Sequence, residues 1–223
     1  MSNLKILLVC IHVAPCDEAV PLGAACVASA LKAAFPGAPG DDGSAVSVSI
    51  LEAYASEKAS DLAGRILAAG ADLVGFSLYS WNRSRALAAA SLVRGRDRRA
   101  LLFCGGPEAT SLADGLSTAS GGPFDFVVAG EGESAAAELA RLLAAGEHGA
   151  AGAPGEPIAG RVEAVETLPS PWLDGTLKPK SDRGVLWELV RGCPYGCAYC
   201  YESKGSRTVR YFPEERIAAE LRL

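Results

Sequence analysis

Three cysteines, Cys193, Cys197 and Cys200, fall within the short stretch Cys-Pro-Tyr-Gly-Cys-Ala-Tyr-Cys. The spacing puts three thiolates on one loop. Three sulfurs can ligate three irons of a four-iron cubane and leave the fourth iron without a protein ligand, the open position that a catalytic metal requires. Structural zinc is the alternative; it ordinarily takes four ligands, and here the fourth would come from His12, His148 or a distant cysteine. A disulfide would leave one cysteine over. The remaining cysteines lack such spacing. Cys10 and Cys104 end apolar runs and Cys26 lies in an Ala-rich one, so all three read as small core residues, whereas Cys16 sits in a loop.

The elements that must position this loop come before it. The chain has 223 residues, 49% hydrophobic and 21% charged, with a net charge of −5. That composition supports a buried core and excludes a whole-protein nucleic-acid footprint. Arg83, Arg85, Arg94, Arg96, Arg98 and Arg99 form a local basic cluster that reads as a solvated helix face and loop. No long apolar run reads as a membrane span and no secretory signal opens the chain, so the sequence reads as cytoplasmic, where clustered cysteines suggest metal rather than disulfides.

Over residues 1–145 apolar runs alternate with helical stretches. Strands are expected at 4–10, 46–51, 72–79, 100–104 and 124–128, and helices at 22–35 (ending near Pro36 and Gly37), 57–69, 83–94 and 133–145, with a short helix after Gly105-Gly106-Pro107. This is the pattern of an α/β, doubly wound, flavodoxin-like Rossmann domain with a parallel sheet covered on both faces. With strand order 2-1-3-4-5 the ligand crevice lies at the carboxyl ends of the strands, where residues 12–23, 77–82, 105–107 and 130–133 form the loops. Residues 146–182 are rich in Gly, Ala and Pro and read as a linker with a short hairpin and an extended strap. Residues 183–223 hold a new strand at 185–190, the cysteine loop, and a helix from 212 that is still running at residue 223.

Read together, these marks resemble the cobalamin (B12)-binding domain-containing radical SAM proteins. The resemblance rests on Pro21-Leu22-Gly23, the stretch from Gly75 to Asn82 (GFSLYSWN), Gly105-Gly106-Pro107-Glu108-Ala109-Thr110, Gly130-Glu131-Gly132-Glu133, the Leu168-Pro169-Ser170-Pro171 strap and the cysteine loop, in that order. It implies cobalamin at the sheet edge, with Ser77, Tyr79, Ser80, Gly105, Gly106, Pro107, Gly130, Glu131, Gly132 and Glu133 around it. The glycines equally suit tight strand-to-helix turns. It also implies a [4Fe-4S] cluster on Cys193, Cys197 and Cys200 that chelates S-adenosyl-L-methionine near Tyr199 and cleaves it reductively to a 5′-deoxyadenosyl radical. The electron would come from a reductant such as flavodoxin or ferredoxin. The parent would be an enzyme, with methyl transfer among its reactions, acting on a small molecule that the sequence does not name.

Two departures qualify the resemblance. Many cobalamin proteins place Asp-x-His-x-x-Gly after the first strand; here Cys10-Ile11-His12-Val13-Ala14-Pro15 stands there, without the aspartate or glycine, so His12 is expected not to touch cobalt. A radical SAM core is a partial TIM-type barrel of roughly 200 residues or more. Only its first strand, cluster loop and part of one helix are expected here. The sequence therefore reads as a truncated chain or a remnant gene product and, by itself, as inactive. The alternative is a non-catalytic corrinoid-binding module or scaffold with a vestigial metal loop.

Overall fold

The strands alternate their side chains between two separate apolar cores. The computed structural model describes residues 4–16, 19–35, 46–112, 115–147, 157–179, 185–200 and 206–223. In β1 (Leu4–His12), Leu7, Val9 and Ile11 enter one core while Leu4, Ile6, Leu8 and Cys10 enter the other. The period of two that defines a strand thus makes both faces apolar, which is why the run carries no alternation in its sequence. Helices α2 (Ala59–Ala69) and α3 (Arg83–Arg96) cover the first face, and α1 (Leu22–Ala34) and α5 (Glu133–Ala144) cover the second. Alanines at these interfaces, such as Ala86, Ala89 and Ala90, are fully buried and let the helices lie close.

The sheet is parallel, in the order β2-β1-β3-β4-β5-β6, with β2 at Val46–Tyr54, β3 at Leu73–Ser77, β4 at Leu101–Gly105, β5 at Phe126–Ala129 and β6 at Ile158–Ala159. This is the expected doubly wound class, with the expected order over its first five strands. A short helix, α4 (Pro107–Ser111), follows β4 as anticipated.

The differences lie after α5. The stretch read as a linker contributes β6, which pairs in parallel with β5 through Val128 and Ala129 rather than forming a hairpin. The strap does dock: Trp172 and Leu177 are buried with Ala25 of α1. Val185 and Leu186 are exposed and not in a strand. Pairing begins only at β7 (Val190–Arg191), antiparallel to β8 (Arg210–Tyr211). A helix, α6, runs Glu214–Glu220 and stops there rather than reaching residue 223. His148, Pro36 and Gly37 lie outside the described residues.

Gly75, in the middle of β3, has space rather than backbone freedom as its reason. A Cβ there would lie 2.3 Å from Phe103 Cζ on β4 and 2.9 Å from Leu8 Cδ2 on β1. Gly75→Val is therefore expected to destabilise the fold by about 2 kcal/mol or more through overpacking. Chemical denaturation checks this, and an unchanged midpoint would contradict the packing described.

Candidate functional site

The loops leaving the carboxyl ends of β1, β3, β4 and β5 are held by a chain of polar contacts. Its centre is Asn82, which is 0% exposed. Its Oδ1 accepts from Tyr79 N at 2.9 Å, and its Nδ2 donates to Ile11 O at 3.1 Å and Ser77 O at 2.9 Å. One amide thus ties the end of β1 to the β3–α3 turn. Leu78 N then donates to Gly105 O at 2.8 Å, and Glu108 N to Leu78 O at 3.2 Å. Gly106, at φ 102°, makes this approach possible, since a Cβ would lie 2.8 Å from Leu78 O in a conformation that L side chains rarely adopt. Thr110 continues the chain: its Oγ1 donates to Gly106 O at 3.0 Å and accepts from Gly130 N at 2.9 Å.

On this rim Ser77 and Tyr79 are half-buried and Ser80 is exposed. The Tyr79 and Trp81 rings stack at 4.4 Å with 11° between their planes, and Trp81 remains 51% exposed. Gly105, Gly106 and Pro107 lie in the adjoining turn. Asn82 and Trp81 were visible in the sequence stretch, but their roles were not; a buried asparagine just before a helix was the available signal. The arginine cluster is less solvated than expected. Arg83 pairs with Glu108 at 3.3 Å, while Arg94 pairs with Asp125 and bonds Ala100 O and Pro123 O.

The β5–α5 turn carries charge. Arg210 grips the Glu131 carboxylate with both terminal nitrogens, Nη1 at 3.1 Å. Arg191 Nη1 lies 2.7 Å from Glu133 Oε1 and 3.3 Å from Glu131 Oε2, and its other nitrogens bond Glu188 at 2.8 and 2.9 Å. Burial works against the Glu131 charge, but the Arg210 hydrogen bond, Glu163 N and the two guanidinium charges outweigh it and hold its carboxyl below the ordinary value. Arg191 loses solvation too, yet the Glu188 and Glu133 carboxylates push its pKa up. The amide of Ser134 at the start of α5 bonds Glu163 Oε1 at 3.0 Å. Both carboxylates of the turn thus have partners within the chain, on the segment that carries the cysteines.

Cys193, Cys197 and Cys200 are each half-buried, and Tyr199 is 93% exposed. Gly192, at φ 95°, turns the chain out of β7, and Cys193 N bonds Ser206 O at 3.2 Å. The Cys200 amide returns to Cys197 O at 3.1 Å. Among the described residues no three His, Cys, Asp or Glu side chains gather closely enough to hold a metal ion. Three thiols on one loop are donors of the type that an iron–sulfur cluster would take. Desolvation pushes the Cys10 and Cys26 thiols up to about 12 and raises that of Cys104 as well. His12 ends β1 with Nε2 2.8 Å from Glu52 Oε2 on the neighbouring strand.

The family model for the B12 binding domain matches residues 11–140. The chain belongs to the B12-binding domain family. The match runs from the end of β1 through most of α5 and includes every loop of the rim. The 2-(S-pantetheinyl)-carbapenam-3-carboxylate methyltransferase of Streptantibioticus cattleyicolor is 34% identical over 172 residues, covering 67% of this chain and 25% of that protein. The cobalamin-dependent radical SAM methyltransferase TokK of Streptomyces tokunonensis is 31% identical over 171 residues, with the same coverage of 67% and 25%. The chain therefore spans about a quarter of the length of these relatives. The B12-binding domain and the segment after it also share a fold with the radical S-adenosylmethionine methyltransferase TsrM of Kitasatospora setae, solved with tryptophan and a SAM analogue. The TM-score is 0.61 at 18% identity, over 99% of this chain and 45% of that one. Among the described residues no helix is long and apolar enough to cross a membrane.

Two outcomes test this geometry. Asn82→Ala strands two carbonyls and an amide and should cost about 1–3 kcal/mol per group left unsatisfied, read by denaturation. Asn82→Asp should be no better, since it keeps the acceptor, loses both donors and buries a charge. The depressed Glu131 carboxyl contributes stability that is complete above its unfolded value, about 4.3, and lost as pH falls through the lower folded value. Hydrogen exchange at residues 189–193 should accelerate, relative to the sheet, only below about pH 4. Full protection of that segment at pH 2 would contradict the ion pairing.

Proposed function

We propose that this chain is the corrinoid- and cluster-binding part of a cobalamin-dependent radical SAM methyltransferase. The observation that carries the reading is one of placement. The Arg-Gly-Cys segment is held by Glu131 and Glu133 at the carboxyl edge of a B12-binding domain, so the two candidate cofactor loops share one rim. The exposed indole of Trp81, stacked on Tyr79, offers an apolar face to a flat macrocycle, and the Ser77 and Ser80 hydroxyls offer hydrogen bonds to its polar tail. Gly105, Gly106, Pro107 and Gly130 let that rim lie close to a bulky ligand. Cys193, Cys197 and Cys200 would hold the cluster, with Tyr199 beside the adenine of S-adenosyl-L-methionine. When bound, the corrinoid supplies a transferable methyl group and the cluster supplies an electron to S-adenosyl-L-methionine. The electron donor would be a cytoplasmic flavodoxin or ferredoxin. The names of the relatives support methyl transfer to a small molecule.

Anaerobic reconstitution with iron and sulfide should give about four irons per chain, and Cys193→Ala, Cys197→Ala or Cys200→Ala should each abolish the cluster absorption. Hydroxocobalamin should bind with a changed absorption spectrum, and His12→Ala should leave that spectrum unchanged. Full iron content in all three cysteine variants would refute the cluster assignment. Corrinoid binding with no iron uptake by the unaltered chain would instead favour a corrinoid-binding module with a vestigial loop.

A further inference from the structure

The ribbon of β7 and β8 has only two residue pairs, Val190 with Tyr211 and Arg191 with Arg210. A two-stranded ribbon so short has no independent stability, so its orientation must come from what it touches. Both residues of one pair are arginines, and both reach Glu131. We propose that Glu131 is a positioning residue: through Arg191 and Arg210 it fixes the Cys193 loop at the carboxyl edge of the sheet. The proposal rests on the cofactor reading above for its purpose, while its geometry is independent of any ligand.

Three observations carry it. The first is the shape of the contact. Arg210 meets Glu131 with both terminal nitrogens, so the contact fixes an angle as well as a distance. The side chains of Glu131, Arg191 and Arg210 are 20%, 15% and 14% exposed, so removing one partner strands charge away from water. The second is that Glu131 also accepts from Glu163 N at 3.0 Å, while Arg210 donates to Glu163 O at 2.6 Å. The stretch following β6 is thereby caught in the same knot, and sheet, strap and ribbon have a fixed mutual geometry. The third is that the ribbon feeds directly into the cysteines. Gly192 and Cys193 follow β7, and Cys193 N bonds Ser206 O on the segment leading back into β8. A tilt of the ribbon is therefore a displacement of the loop.

The root of the segment is anchored elsewhere. Glu220 of α6 accepts from Ser170 and Trp187, and Arg216 donates to Leu168 O at 2.7 Å. Loss of Glu131 should leave that anchor in place and let only the ribbon and its loop move. This separates a positioning role from a general contribution to folding.

The test is hydrogen exchange on the full chain without cofactors. In Glu131→Gln, amides in 189–193 and 206–212 should exchange at least tenfold faster, while β1, β3, β4 and α6 are unchanged. Arg210→Gln should reproduce this from the ribbon side, and the double variant should be loosened by less than the sum of the two single effects, because both substitutions remove the Arg210–Glu131 contact. Glu131→Asp, which keeps the charge on a shorter stem, should restore part of the protection. Unchanged ribbon exchange in Glu131→Gln would overturn the proposal. So would equal loosening of the sheet, which would make Glu131 a general stabilising residue. If Glu131→Gln does not fold, Arg210→Gln decides by the same criteria. Exchange is read without iron or corrinoid, so failed reconstitution would count against the cofactor reading and leave this one standing.

Discussion

A parallel sheet covered by helices on both sides leaves no room for polar side chains within its strands. In this chain the rule holds from Ile6 to Ile11 and again through Leu73–Phe76 and Leu101–Cys104, where even cysteine serves as a hydrocarbon-like filler. Polar groups are expelled to the ends of the strands, and the parallel direction gathers all carboxyl ends on one edge. The location of the site thus follows from solvation. Asn82 is buried at this edge, and its amide satisfies the Ile11 and Ser77 carbonyls and the Tyr79 amide there.

The same constraint explains what could be read in advance. Continuous apolar runs and Ala-rich helical stretches declared the first five strands, their helices and the doubly wound class. The cysteine spacing marked a candidate metal loop whose chemistry belongs to the proposal above. The later region was harder to read because its structure depends on distant partners. β6 is two residues long and exists through the β5 edge, which no local pattern in a Gly- and Ala-rich stretch announces. The run at 185–190 is apolar enough for a strand, but only Val190 of it joins a ladder, while Leu189 O accepts from Phe212 N and Trp187 bonds Glu220.

Glu131 and Glu133 show the limit in another form. Read alone, Gly-Glu-Gly-Glu before a helix suggests carboxylates that serve the helix dipole or accept from a ligand. Their arginine partners lie 60 and 79 residues away from Glu131 and could not be paired with it from spacing. Arg191 also lies over Phe212 at 5.9 Å, and Arg216 covers the same ring at 4.2 Å, so this charged layer has an apolar floor. The cysteine segment is therefore held by charge above and by an aromatic ring beneath.

The burial of Cys10, Cys26 and Cys104 has a consequence for redox life. A thiol held protonated is a poor nucleophile toward peroxide, disulfides and electrophiles. The fold thus divides its sulfur into a quiet interior reserve and a reactive surface portion. An oxidative insult would reach Cys16 and the cysteine loop first and spare the core. Damage would therefore fall on the chemistry of the loop well before it reached the architecture that carries it.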